Sequence, residues 1–235
     1  MALRLEELSK TIDQTLLDRD ATTEDVEVVC RRARELHVAS VCVLPVHVPA
    51  AAEVLRSCDV KVCAVVGFPS GSAPGKKKTL EALRALADGA GELEFVMNLR
   101  ALRVGDARLV RDELVAFVRS IRMTSANGGR GTVLLKAILG TTKLDDKLKK
   151  LACGIVERAE LDFAQTSTGA GPAVARVADV ELLRECLSES VVVKASGGIE
   201  TLGDVEAMLN AGAGRIGSAS ASEILEPSAV LAQVS

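Results

Sequence analysis

The chain has 235 residues, is 48% hydrophobic, carries a formal net charge of −3 and contains neither tryptophan nor tyrosine. That content is ample for a sizeable core, and with no Pro/Gly/Ser-rich linker to divide it the chain reads as one domain over 1–235. The charge leaves no basic footprint for nucleic acid, no apolar run approaches the ~18 residues of a membrane span, and the charged start Met1–Glu7 does not resemble a signal peptide.

Along the chain, apolar runs of strand length alternate with longer segments of helical period. Strands are expected at Thr11–Asp13, Ser40–Leu44, Val60–Gly67, Leu93–Asn98, Val133–Leu139, Asp162–Thr166, Val191–Ala195 and Arg215–Gly217. Helical patterns cover Thr23–Leu36, Lys78–Gly89, Arg108–Ser120, Leu144–Arg158, Val177–Leu187 and Leu202–Ala211. Thr22–Asp25 and Leu202–Asp204 place small or acidic residues where a helix starts, and Gly89, Gly212 and Gly214 stand where helices stop. Eight such βα units predict an α/β fold, a (β/α)8 TIM barrel in a single domain. The strands are rich in Val, Ile and Leu without clean alternation, as in a parallel sheet covered by helices. A doubly wound open sheet is the competing arrangement. In a barrel, chemistry collects at the C-terminal ends of the strands.

Six cysteines are scattered without a Cys-x-x-Cys pair, and only His37 and His47 supply imidazole, so no metal site is expected. Such cysteines suit a reducing cytosol. Cys42 and Cys63 lie in apolar strands and read as core, and His47 reads as a loop histidine. The missing tyrosine and tryptophan remove a phenolic acid and the usual stacking platforms for sugars or bases.

Four strands carry ionisable groups inside apolar runs: Asp13 at the end of the first, Glu94, Lys136 and Lys194. A buried charge is costly unless paired, so these acids and lysines are expected to converge in the barrel mouth as a functional cluster; a purely structural salt-bridge cluster is the alternative. Glycine-rich turns follow the last three strands, at Thr166–Gly171, Ala195–Gly198 and Ile216–Ser220. Their backbone N–H groups can approach an oxyanion closely, which nominates Thr168, Gly169, Gly197, Gly198, Gly217 and Ser220 for binding an anionic or phosphorylated substrate. Lys76–Lys78 reads as a solvated helix start.

These stretches resemble the deoxyribose-phosphate aldolase family. The likeness runs from Ile12–Leu17 through Ala39–Val43, Val65–Pro69, Thr166–Gly169 and Val193–Ile199 to Arg215–Gly217. It implies a TIM barrel, a homodimer, neither metal nor cofactor, and a small carbonyl or sugar-phosphate-like substrate, with no nucleic-acid or membrane partner. In the family an imine-forming lysine precedes Thr-Ser-Thr-Gly, and Gln165 holds that position here. A carboxamide nitrogen is delocalised and forms no imine. The family's other two active-site lysines correspond to Lys136 and Lys194, its strand-four aspartate to Glu94, and Asp13 and Cys42 match. Gly140 replaces a family glutamate, Ala219 one serine of the phosphate turn, and Glu200 an arginine. Three readings follow: an aldolase-like enzyme with its imine relocated to Lys194 or Lys136, Glu94 as proton shuttle and Gln165 hydrogen-bonding the substrate hydroxyl; an imine-free acid/base enzyme (an isomerase, dehydratase, cyclase or non-covalent aldolase) in which both lysines stabilise an enolate or oxyanion; or a non-catalytic homologue.

Overall fold

Eight parallel strands close on themselves in the order of the sequence: β1 (Ile12–Leu16), β2 (Ser40–Val43), β3 (Lys61–Val66), β4 (Glu92–Val96), β5 (Leu134–Ile138), β6 (Phe163–Gln165), β7 (Val192–Ser196) and β8 (Arg215–Ser218), with β8 pairing back onto β1. The computed structural model describes residues 4–127, 132–168 and 174–226. Ten α-helices surround the sheet among these residues: α1 (Leu5–Ser9), α2 (Thr23–Glu35), α3 (Val48–Val54), α4 (Gly75–Ala87), α5 (Leu99–Arg103), α6 (Ala107–Asn127), α7 (Asp146–Arg158), α8 (Val177–Cys186), α9 (Leu202–Asn210) and α10 (Ala221–Leu225). The barrel expectation holds, and the open sheet is excluded by the β1–β8 pairing at Ile12↔Ile216 and Asp13↔Gly217.

Local chemistry explains where the helices begin. The Thr22 hydroxyl accepts from Asp25 N while the Asp25 carboxylate accepts from Thr22 N, a capping box that opens α2. Thr201 and Asp204 do the same for α9, and Asp145 caps α7 through Leu148 N. The short helices α1, α3, α5 and α10 leave no signal in the sequence, because 5–7 residues span less than two turns and show little periodicity. Helix α6 runs on to Asn127, past the expected end at Ser120, because Ile121 and Ser125 stay buried on its inner face.

Between sheet and helices lies one apolar layer with members from every helix segment, from Leu8 of α1 to Leu225 of α10. Phe95 of β4 and Phe117 of α6 meet in it with ring centroids 4.4 Å apart, worth about 1 kcal/mol beyond their buried area. Lys78 corrects an expectation. It is fully buried, not solvated: its Nζ donates to the Val96 carbonyl and to Glu113 Oε2, both at 3.1 Å, and lies 4.1 Å from the Phe95 ring. The first turn of α4 aims this residue at the sheet, where a carboxylate from α6 satisfies it. His47 also departs from a plain loop residue: it is buried in a 3₁₀ turn over Pro45–His47.

Candidate active site

The inward residues of the strands carry the charge. Lys194 Nζ lies 2.6 Å from Asp13 Oδ2 and 2.5 Å from Glu94 Oε1. Lys136 Nζ lies 2.7 Å from Asp13 Oδ2, 2.6 Å from Glu92 Oε2 and 3.3 Å from Glu94 Oε1. Arg215 donates to Asp13 Oδ1 at 2.7 Å, and the Ser40 hydroxyl donates to the same oxygen at 2.6 Å. The Cys63 thiol donates to Glu94 Oε1 at 3.4 Å. The structure thus brings together Asp13, Glu94, Lys136 and Lys194, all at most 1% exposed, and adds Glu92 and Arg215.

One expectation about position is corrected. Asp13 does not end its strand; it is the second residue of β1, which continues to Leu16. Glu94, Lys136 and Lys194 each occupy the middle of a five-residue strand. The cluster therefore sits at mid-barrel, below the strand ends. Three carboxylates face three permanent or strongly held cations there, so the charges can cancel without solvent.

The electrostatics follow from that balance. Burial would raise the carboxyls of Asp13 and Glu94, but the lysine ammoniums outweigh it. Asp13 is held well below the usual carboxylate range by Lys136, Lys194 and Arg215, and Glu94 falls to about 2 beside Lys194 and Lys136. Burial likewise works against both ammoniums, yet Asp13 and the glutamates hold Lys136 and Lys194 above the ordinary lysine value. Burial, with Cys42 opposite, pushes the Cys63 thiol up. Cys42 and Cys63 face each other across β2 and β3 in a small apolar cluster with Val65. Their sulfurs and a Glu94 oxygen all lie within 4.8 Å of one another. The two ammoniums already holding Glu94 would oppose any metal cation at that point.

Gln165 lies beside this cluster, directly across from Lys194 in the β6–β7 register. It is 1% exposed, and its amide nitrogen donates to the Ser167 carbonyl at 2.7 Å. Gly217 lies within β8, where an added Cβ would stand 2.6 Å from Ser196 Oγ and 3.0 Å from Lys194 Cε. Its lack of a side chain makes room for Lys194. Gly197 and Gly198 turn at φ +107° and +66°, a path L-residues rarely follow. Ser220 N donates to Ser218 Oγ at 3.0 Å, and Thr168 is half-buried after β6. Gly169 lies outside the described residues. A groove of about 1010 Å³ between α4 and α6, lined by Leu80, Leu83, Leu109 and Glu113, shares no lining residue with the buried cluster.

No protein-family model matches the chain. It is 42% identical over 219 residues to the deoxyribose-phosphate aldolase of Caldanaerobacter subterraneus subsp. tengcongensis, covering 93% of this chain and 92% of the relative. The chain belongs to the deoxyribose-phosphate aldolase family. The aldolase of Clostridium kluyveri is 41% identical, over 93% of this chain and 97% of its own. The crystal structure of a putative deoxyribose-phosphate aldolase from Coccidioides immitis superposes with a TM-score of 0.86 at 32% identity, covering 96% of this chain and 87% of that one. Membership joins the motifs at both ends of this chain to one barrel.

The sequence pattern does not reveal Glu92 and Arg215 as members of the charged cluster. Each opens its strand, where a charge reads as a solvated edge; a signal did exist, since both point the same way as Glu94 and Gly217 two residues on. Within this aldolase-family barrel, Gly140 takes φ +66° and an added Cβ would meet Leu99 Cδ1 at 2.5 Å. The glycine relaxes a turn that a side chain would strain.

Proposed function

We propose that this family member is a carbon–carbon lyase acting on a small hydroxylated or phosphorylated carbonyl compound without forming an imine. The observation that carries this reading is the locked state of Lys194 and Lys136 between Asp13, Glu92 and Glu94 at 2.5–3.3 Å. A lysine must shed its proton before it attacks a carbonyl. Asp13, Glu92 and Glu94 balance Lys136, Lys194 and Arg215, three charges against three. A fourth cation at position 165 would leave a surplus and disfavour protonation of its lysine neighbours. Gln165 supplies no such charge, so both ammoniums keep their protons.

In the cleavage direction a β-hydroxy carbonyl compound sets its carbonyl oxygen against the Lys194 and Lys136 ammoniums. Glu94 takes the hydroxyl proton, the carbon–carbon bond breaks, and its electron pair passes to the carbonyl oxygen as an enolate held by the two cations. The free Glu94 carboxylate is a weak base near pKa 2. Once the substrate oxygen draws an ammonium away from it, that basicity rises. Protonation of the enolate carbon by Glu94 completes the cycle.

Sodium borohydride with a carbonyl substrate, followed by intact-mass analysis, tests the reading. The wild-type chain is expected to show no reduced adduct, while Gln165→Lys gains one and recovers cleavage of deoxyribose 5-phosphate. An adduct on Lys194 or Lys136 of the wild type would establish the relocated imine instead.

A further inference from the structure

The N-terminal end of the barrel, opposite the strand ends, holds a second way into the charged cluster. Lys61, Glu92 and Leu134 open β3, β4 and β5. With Gly91, Thr132 and Val133 they line a cavity of about 250 Å³. Lys61 and Thr132 are exposed, whereas the Glu92 side chain is only 3% exposed. A water molecule needs roughly 10–15 Å³ of such space and a few polar partners, so solvent can reach the Glu92 carboxylate from this side. Behind it, Lys136 Nζ lies 2.6 Å from Glu92 Oε2 and 3.3 Å from Glu94 Oε1. Glu92 Oε2 accepts no hydrogen bond among the described residues: Lys136 pairs with it by charge, off the hydrogen-bonding line. Buried oxygens are nearly always met. This one stands between an ammonium and a cavity open to solvent, where a proton can join it.

We propose that Lys136 and Glu92 form a proton path from Glu94 to solvent at the N-terminal end of the barrel. A protonated Glu94 gives its proton to Lys136 Nζ while Lys136 gives one of its own to Glu92 Oε2. An O–H bond breaks at Glu94 and an N–H bond forms at Lys136; another N–H bond breaks there and an O–H bond forms at Glu92. Only a rotation of the Glu92 carboxylate is needed to bring Oε2 onto an N–H direction, the distance being already 2.6 Å. Lys136 ends with the three protons it began with, and Glu92 releases its proton to water. In reverse, the same steps reload Glu94. Glu92 is a relay residue that acts through Lys136. For turnover the proposal rests on the reading that Glu94 takes the substrate's hydroxyl proton, and it makes the hydrogen delivered to the enolate carbon one drawn from solvent.

Exchange of the lysine ammonium protons with water, read by NMR on the full chain with isotope-labelled lysine, tests the path without any substrate. In Glu92→Gln, a neutral isostere, exchange at Lys136 is expected to slow about 10²-fold, the lower end of what a positioned proton-transfer group supplies. Loss of a merely structural ion pair has the opposite sign. Without the Glu92 charge, which helps hold Lys136 above the ordinary lysine value, the ammonium sheds its protons more readily and exchanges faster. Gly91→Met fills the cavity and keeps every charge; an added Cβ meets Lys61 Cδ at an ordinary 3.8 Å, and exchange at Lys136 slows likewise. The Lys78 ammonium, paired with Glu113 outside the barrel, stays as it was in both variants. Exchange at Lys136 that is unchanged or faster in Glu92→Gln, or as fast as wild type in Gly91→Met, overturns the proposal. Should Glu92→Gln not fold, Gly91→Met decides alone. A borohydride adduct on Lys194 or Lys136 would overturn the imine-free reading and leave these rates as they are, so the two fail separately.

Discussion

At the scale of single residues, Gln165 matters through the charge it does not carry. Its neighbours Lys194 and Lys136 stand in a network whose charges already cancel, and the network sets how the chain responds to pH. Glu94 ionises in the fold at about 2 against an ordinary 4.5, and Asp13 is shifted the same way. A carboxyl depressed in the fold adds stability that is complete above its unfolded value and is lost as pH falls toward the folded one. The lysines are raised, so their contribution is complete below their unfolded value of 10.5 and is lost only on the alkaline side. Stability from this cluster is therefore flat near neutrality and falls between about pH 4.5 and pH 2. Urea midpoints across that window should show the fall in wild type and a smaller one in Glu94→Gln. At pH 7 the same variant should lose about 3–5 kcal/mol, because Lys194 and Lys136 then lack a buried partner. These residue types were legible in the sequence, since each interrupts an apolar run. Their partners were not, because Glu92 and Arg215 sit at strand starts that look like solvated edges.

At the scale of elements, the strand–helix alternation was readable because eight strands of similar length repeat with turn residues between them. What the pattern misjudged was a helix face. Lys78 lies in a run of three lysines at the start of α4, yet only Lys78 turns inward, onto Glu113 and the Val96 carbonyl. Burial draws the Lys78 amine down and the Glu113 carboxyl up, each toward its neutral form. Removing one partner strands the other. Lys78→Met should cost about 3 kcal/mol in chemical denaturation, whereas Lys78→Met with Glu113→Leu should recover most of it, as replaced buried pairs do. A double variant no more stable than the single would show that Lys78 acts through its stem alone. Turn glycines behave more simply. Gly140→Ala should cost about 1–2 kcal/mol by the same assay, from its positive φ and the contact with Leu99.

At the scale of the whole molecule, one apolar layer reaches from α1 to α10 and the sheet has no free edge. Unfolding by urea should accordingly be a single transition, coincident by far-UV circular dichroism and by amide exchange, the latter replacing fluorescence in a chain with no tryptophan or tyrosine. Two separated transitions would show that the barrel opens in parts. The amino-acid sequence by itself determined the alternation of eight units, the family motifs and the uncharged side chain at Gln165, because these are local in the chain or depend on residue chemistry alone. Only the tertiary structure decided that Lys194 answers to Asp13 and Glu94, 181 and 100 positions away, and that the charged cluster lies at mid-barrel with its charges cancelled. Such pairings exist only once β8 closes on β1 and turns side chains from distant strands inward to a common centre, where no solvent remains to screen them.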